Sequence, residues 1–144
     1  MTNTLTLNTA ISINAPKSKV WMALIDPEQV KKYFFGTVLK SDWKVGSAIT
    51  FSGKWEGKPY LDKGIILQIE KEKILKYNYW SSFSGTEDKP ENYAVIIYSL
   101  EEKDGQTTIF ISQDSVKSKE ALDHSEQNWQ MIMKSLKELL EQKD

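Results

Sequence analysis

Cysteine and arginine are both missing from this 144-residue chain, and histidine occurs once, at His124. Without cysteine there are no disulfides, no thiolate nucleophiles and no Cys-containing metal sites, which fits a reducing compartment. Without arginine there is no planar bidentate fork to grip phosphates or guanine edges. Nineteen basic residues, all lysine, stand against twenty acidic ones, for a net charge of −1. The electrostatic attraction that drives nucleic-acid binding is therefore missing as well. Long apolar runs are absent too: nothing approaches the ~20 apolar residues that span a bilayer. The opening Met1-Thr2-Asn3-Thr4-Leu5 has no basic segment leading into an apolar run, so no signal peptide is expected. These absences point to a cytoplasmic protein with no nucleic-acid partner and no membrane span.

What is present is enough to fold. A composition of 40% hydrophobic and 27% charged residues is that of an ordered globular chain. The length suits one domain, residues 1–144, able to bury a real core. Five Trp, six Tyr and five Phe supply large apolar area at low entropic cost, sufficient for a core and for the lining of a pocket.

Residues 4–14 alternate, with Leu5, Leu7, Thr9, Ile11 and Ile13 on one face, which predicts a half-buried strand. Ala15-Pro16 opens a helix whose apolar stripe is Val20, Trp21, Leu24 and Ile25. Asp26-Pro27 opens a second short one: Asp26 can cap it, Pro27 starts it, and Val30, Tyr33 and Phe34 continue it. Strands follow near 36–42, 47–55, 60–70, 73–80, 93–101 and 106–113, punctuated by seven glycines. Asp104-Gly105 is the dipeptide a type I′ hairpin turn requires, and Lys71-Glu72-Lys73 makes another short turn. Residues 81–92 have no periodicity and read as a mobile loop. From about Ser118 to Lys143 neither Gly nor Pro occurs, and Leu122, Trp129, Ile132, Met133, Leu136, Leu139 and Leu140 recur at helical spacing. The order predicts an α+β fold: a curved antiparallel sheet, two short helices, and one long C-terminal helix covering the apolar face.

Few residues suggest chemistry. His124 sits near the start of the long helix, and its neighbours Asp123 and Glu126 do not share its face, so it reads as a solvated surface residue. A single histidine cannot build the usual multi-His metal site. The acidic pairs Glu70/Glu72, Glu87/Asp88 and Glu101/Glu102 fall at strand ends or in loops, where charge keeps a turn solvated. Ser81, Ser82, Ser84 and Gly85 lack the strand-to-helix context of a nucleophile elbow. Gly36, Gly46, Gly53 and Gly57 are too widely spaced to cradle a phosphate and lead into strands. No catalytic residue, metal site or cofactor is therefore assigned.

An ordered set of short matches runs along the chain. It begins with Asn14-Ala15-Pro16, Val20-Trp21 and Asp26-Pro27-Glu28, and continues through Val45-Gly46 and Leu75-Lys76-Tyr77-Asn78-Tyr79-Trp80. It ends with Pro90-Glu91-Asn92-Tyr93, Gly105-Gln106-Thr107-Thr108 and Asn128-Trp129. With these the chain resembles the helix-grip proteins of the START/Bet v 1-like superfamily. Within it, the chain looks like a bacterial member of the group named after the activator of Hsp90 ATPase (AHSA1-like, or SRPBCC domain proteins). One departure is visible: the family often has Gly-Trp where this chain has Asn128-Trp129, a change that stiffens the helix and narrows any cavity beneath it.

The resemblance implies a cavity between sheet and long helix, and non-enzymatic binding of a small hydrophobic ligand there. Its lining is expected from Phe51 and Trp55 on one strand, Tyr77 and Tyr79 on another, and Tyr98, Phe110, Trp129 and Met133 on facing elements. Tyrosine is an odd choice for a dry core, because each buried hydroxyl needs a partner. The resemblance also implies two alternatives: a module that docks an Hsp90-type chaperone, or a cyclase/aromatase-like enzyme in which Tyr79 and Tyr98 are the first candidates. Either a monomer or a homodimer is compatible with the pattern.

Overall fold

The computed structural model describes residues 5–34, 36–55, 57–81 and 87–141. The chain runs β1 (Leu5–Ile13), α1 (Lys17–Ile25), α2 (Pro27–Tyr33), β2 (Val38–Ser41), β3 (Ala48–Trp55), β4 (Lys58–Glu70) and β5 (Ile74–Ser81). It continues through β6 (Ala94–Lys103) and β7 (Gln106–Val116) to α3 (Lys119–Glu141). The strands form one curved antiparallel sheet in the order β1-β7-β6-β5-β4-β3-β2. Strands β2 to β7 are sequential neighbours, as short turns require. Strand β1 instead pairs with β7, so α1 and α2 carry the chain from one edge of the sheet to the other.

Local chemistry accounts for the turns. Asp104 and Gly105 both have positive φ, 54° and 79°, the conformation a type I′ hairpin needs. Asp26 caps α2, its Oδ1 accepting from the Glu28 amide at 3.1 Å, with Pro27 in the first helical position. Pro16 precedes α1 as its N-cap and offers no side-chain bond. Glu102 of β6 supplies it instead, accepting from the Lys17 amide at 2.6 Å. A carboxylate at a helix N-terminus also meets the positive end of the dipole. Glu102 is thus a long-range cap as well as a residue of an exposed strand end. In the stretch 81–92, Pro90–Asn92 forms one 3-10 turn, while residues 82–86 lie outside the described residues.

The core lies between the concave face of the sheet and α3. Alternation on the strands and the i, i+3, i+4, i+7 stripe of Trp129, Ile132, Met133 and Leu136 face each other. Ile66, Ile109 and Leu136 are fully enclosed, and burying a side chain of that size stabilises by about 1.5–3 kcal/mol. Strand β4 is irregular, with a register shift between Ile66 and Gln68 that bends it against β5. Next to the bend, Gly64 lets two strands meet closely: an added Cβ would lie 1.6 Å from the Asn78 carbonyl oxygen. The Asn78 side chain also crosses here, its Oδ1 accepting from the Ile65 amide at 2.6 Å. Gly64→Ala is expected to destabilise at the top of the ~1–3 kcal/mol range for overpacking. Urea unfolding checks this, and a midpoint equal to wild type would refute the close approach.

A candidate ligand cavity between the sheet and the long helix

A cavity of about 160 Å³ opens under the middle of α3. Its floor is the concave face of the sheet: Phe51 of β3, Tyr77 and Tyr79 of β5, Ile96 of β6 and Gln113 of β7. Phe34, just after α2, closes one end, and Ser125, Asn128, Trp129 and Ile132 of α3 form the roof. Asn128 is exposed and Ser125 half-buried, which marks the side where the cavity reaches solvent. Toward α2 the adjoining space, beneath Tyr33, Leu39, Trp43 and Tyr98, shrinks to about 10 Å³, the lower limit for one water molecule.

The walls are a connected row of rings. Phe34 stacks on Phe51 at 6.0 Å between centroids, and Phe51 meets Tyr77 at 5.8 Å and Tyr79 at 5.7 Å. Tyr77 meets Tyr98 at 5.9 Å, and Tyr98 meets Trp129 edge to face at 5.8 Å. Such pairs are worth about 0.5–1.5 kcal/mol beyond area burial, and they hold the walls in place.

Every polar tip in this row has a partner. The Tyr77 and Tyr98 hydroxyls bond each other at 3.2 Å, and the Tyr33 hydroxyl donates to the Ala23 carbonyl at 2.9 Å. Tyr79 donates to Asp62 of β4, and the Trp129 indole N–H donates to Gln113 Oε1 at 2.8 Å. Burial, which penalises the phenolate, pushes Tyr33, Tyr77 and Tyr79 well above the ordinary tyrosine range; for Tyr79 the Asp62 carboxylate adds to it. Tyr98 is pushed up by burial to about 12, with its bond to Tyr77 acting in the opposite direction. At neutral pH these are neutral hydroxyls, not bases.

Residues 14–141 match the family model described as Activator of Hsp90 ATPase homolog 1-like protein. The chain belongs to that family. No curated protein matches it. Among solved structures, ChR145 from Cytophaga hutchinsonii is 42% identical, with a TM-score of 0.83 over 95% of this chain and 94% of that one. Two others share the fold at low identity. The Aha1 dimer from Colwellia psychrerythraea is 20% identical with a TM-score of 0.75, over 95% of this chain and 96% of that one. Ara h 8.0201 is 16% identical with a TM-score of 0.77, over 96% and 98%. The helix-grip fold of the Bet v 1-like proteins is therefore the fold of this AHSA1-like chain.

Of the eight residues expected at the cavity, Phe51, Tyr77, Tyr79 and Trp129 line it, and Tyr98 lies one ring further in, between the cavity and the closed space. Met133 is buried in the core beside Ile132 and is not part of the wall. Phe110 is a correction: it is 42% exposed on the outer face of the sheet. Its neighbours Ile109 and Ile111 take the inner positions, and strand parity cannot place all three on one side. The Trp55 side chain lies outside the described part of the molecule. Sequence reasoning passed over Phe34, Ile96, Gln113, Ser125 and Ile132 as lining, while Asn128, singled out as narrowing the cavity, does line it. For two walls the signal was there: Gln113 shares parity with Ile109 and Ile111, and 125, 128, 129 and 132 share one helix face.

His124 is exposed in the second turn of α3 and is not one of the lining residues. Among the described residues no group of His, Asp and Glu could hold a metal ion, and no helix is long and apolar enough to cross a membrane. Because their folded-state pKa values are raised, Tyr33, Tyr77, Tyr79 and Tyr98 contribute stability that is fully present below about pH 10. It is lost as the pH climbs through the folded values, about 12 for Tyr98. Most phenolate absorbance at 295 nm is expected to appear together with loss of the near-UV circular dichroism. Full titration near pH 10 with an intact near-UV spectrum would contradict the burial.

Proposed function

We propose that this chain binds a small apolar molecule in the cavity beneath α3 and carries out no chemistry on it. The observation that carries the reading is the contrast between two adjoining spaces under the same sheet. One is packed to about 10 Å³ and the other is held open at about 160 Å³ by aromatic walls. Mostly apolar walls with a few polar groups are what small-molecule sites have in common. The volume is close to that of a roughly 150 Å³ apolar protein cavity that takes up benzene, so the occupant is about one ring in size. Catalysis is less well supported, since the Tyr79 and Tyr98 hydroxyls are neutral and already bonded.

A second reading, docking to an Hsp90-type chaperone, draws on the exposed apolar residues Leu61, Ile65 and Leu67 along β4. The two are separable by mutation. Native mass spectrometry of the gently purified protein is expected to show an extra mass lost on denaturation, and Ile96→Phe, which fills the cavity, to remove it without unfolding the chain. An extra mass unchanged in Ile96→Phe would place the ligand elsewhere. For the docking reading, Leu61→Lys with Ile65→Lys is expected to abolish stimulation of the organism's Hsp90-type ATPase. Absence of any stimulation by the wild type would remove that reading.

A further inference from the structure

We infer that the ligand is a neutral single-ring compound bearing a carbonyl-type oxygen, and that Gln113 is the residue that selects it. The inference rests on the cavity reading above and adds to it the chemistry of the occupant.

The argument begins at Trp129. An indole N–H can only donate, so the Gln113 atom 2.8 Å away must be the amide oxygen, and this fixes which way the amide faces. Its Nε2 then carries two donors, and among the described residues nothing accepts from them. Among the described residues no fully enclosed side-chain nitrogen or oxygen lacks a partner, so Nε2 borders open volume, and the cavity is an open volume that Gln113 lines.

The other interior polar tips are committed: Tyr77 and Tyr98 to each other, and Tyr79 to Asp62. Asn128 is exposed, so water competes for its bonds; Ser125 is half-buried like Gln113, but on a helix its hydroxyl can bond the carbonyl four residues back. Gln113 is therefore the donor with the greatest power to discriminate. A ligand oxygen is the natural acceptor for it. A carboxylate fits poorly, because no lysine lines the cavity and a buried anion without a cation is strongly disfavoured. A ketone, aldehyde, ester or amide oxygen accepts the bond without that penalty.

The test compares acetophenone with α-methylstyrene, which has the same shape and a methylene in place of the oxygen. Both affinities are measured by NMR titration in wild type, Gln113→Glu and Gln113→Leu. The Glu variant keeps an oxygen for Trp129 and loses the donors; the Leu variant loses both. Taking the ratio within each protein removes the difference in the ligands' own hydrophobicity. Relative to wild type, the acetophenone preference is expected to fall roughly five-fold in both variants, the size of one neutral hydrogen bond. In wild type, acetophenone should move the Gln113 side-chain amide protons downfield and α-methylstyrene should not, although both bring the same ring current. That comparison needs no variant, so misfolding of either substitution leaves the inference open to refutation. Both ligands binding with an unchanged ratio, or with equal amide shifts in wild type, would overturn the role of Gln113 and leave the cavity reading standing. If neither ligand binds wild type, the cavity reading fails and this inference with it.

Discussion

Buried aromatic side chains with polar tips must find partners, and that constraint sets the geometry between the sheet and α3. Tyr33, Tyr77, Tyr98 and Trp129 are buried, and Tyr79 is half-buried beside them. An unpartnered tip would cost on the order of 1–3 kcal/mol. The solutions differ in reach. Tyr33 is satisfied by backbone, Tyr77 and Tyr98 by one another across adjacent strands, and Tyr79 by Asp62 on the next strand. Among these tips Trp129 is the one that bonds across the layers, to Gln113 of β7, with its ring edge-on to Tyr98. That bond, together with those of Gln130 to Thr9 and Lys137 to the Ser12 carbonyl of β1, constrains the height and rotation of the helix over the sheet. A helix held by a rigid indole cannot settle fully onto the rings below, and the cavity is the space left on the Phe51 and Tyr79 side.

The far end of the molecule is tied differently. The turn joining β1 to α1 is held by three elements: Glu102 of β6 accepts from the Lys17 amide, Thr107 of β7 donates to the Ala15 carbonyl, and Glu141 of α3 accepts from the Asn14 amide. Glu141 also pairs with Lys137 one turn back. The Asn14 amide, then Lys137, hold the Glu141 carboxyl below its usual range, so the tie is present when the group is ionised and is lost as the pH falls through its lowered value. The last turn of α3 and the entry to α1 are thereby anchored to the β6–β7 hairpin, while the middle of α3 spans the cavity.

Much of this was legible in the chain. Period-two alternation placed β1, Asp104-Gly105 placed the β6–β7 hairpin, and the Gly- and Pro-free stretch placed α3, because each is a local rule with one structural outcome. The cavity was legible only in part. In Ile109-Phe110-Ile111 three apolar residues in a row conceal the parity of the strand, and Phe110 was assigned to the wrong face for that reason. Only the register with β6, where Ile111 lies opposite Tyr98 and Phe110 opposite Ser99, settles it. Parity puts Gln113 on the inner face, but its role, like that of Glu102, was hidden for another reason. A glutamine in a strand and a glutamate near a turn look like solvated polar residues until distant partners, Trp129 and Lys17, are brought to them.

The size of the cavity depends on two neighbouring residues of α3. Asn128 is part of the cavity lining at the edge that meets solvent. A glycine there would open the rim and loosen α3, at a cost of about 0.5–1 kcal/mol in helix stability. Asparagine does the reverse on both counts: it favours the helical conformation relative to glycine and occupies volume at the mouth. The neighbouring residue, Trp129, fixes the roof from the other side through Gln113. Two consecutive residues of α3 therefore set the aperture and the depth of the same cavity. Enlarging it for a multi-ring ligand would require changing the residue at the mouth together with the anchored indole, because relieving either one alone leaves the other boundary in place.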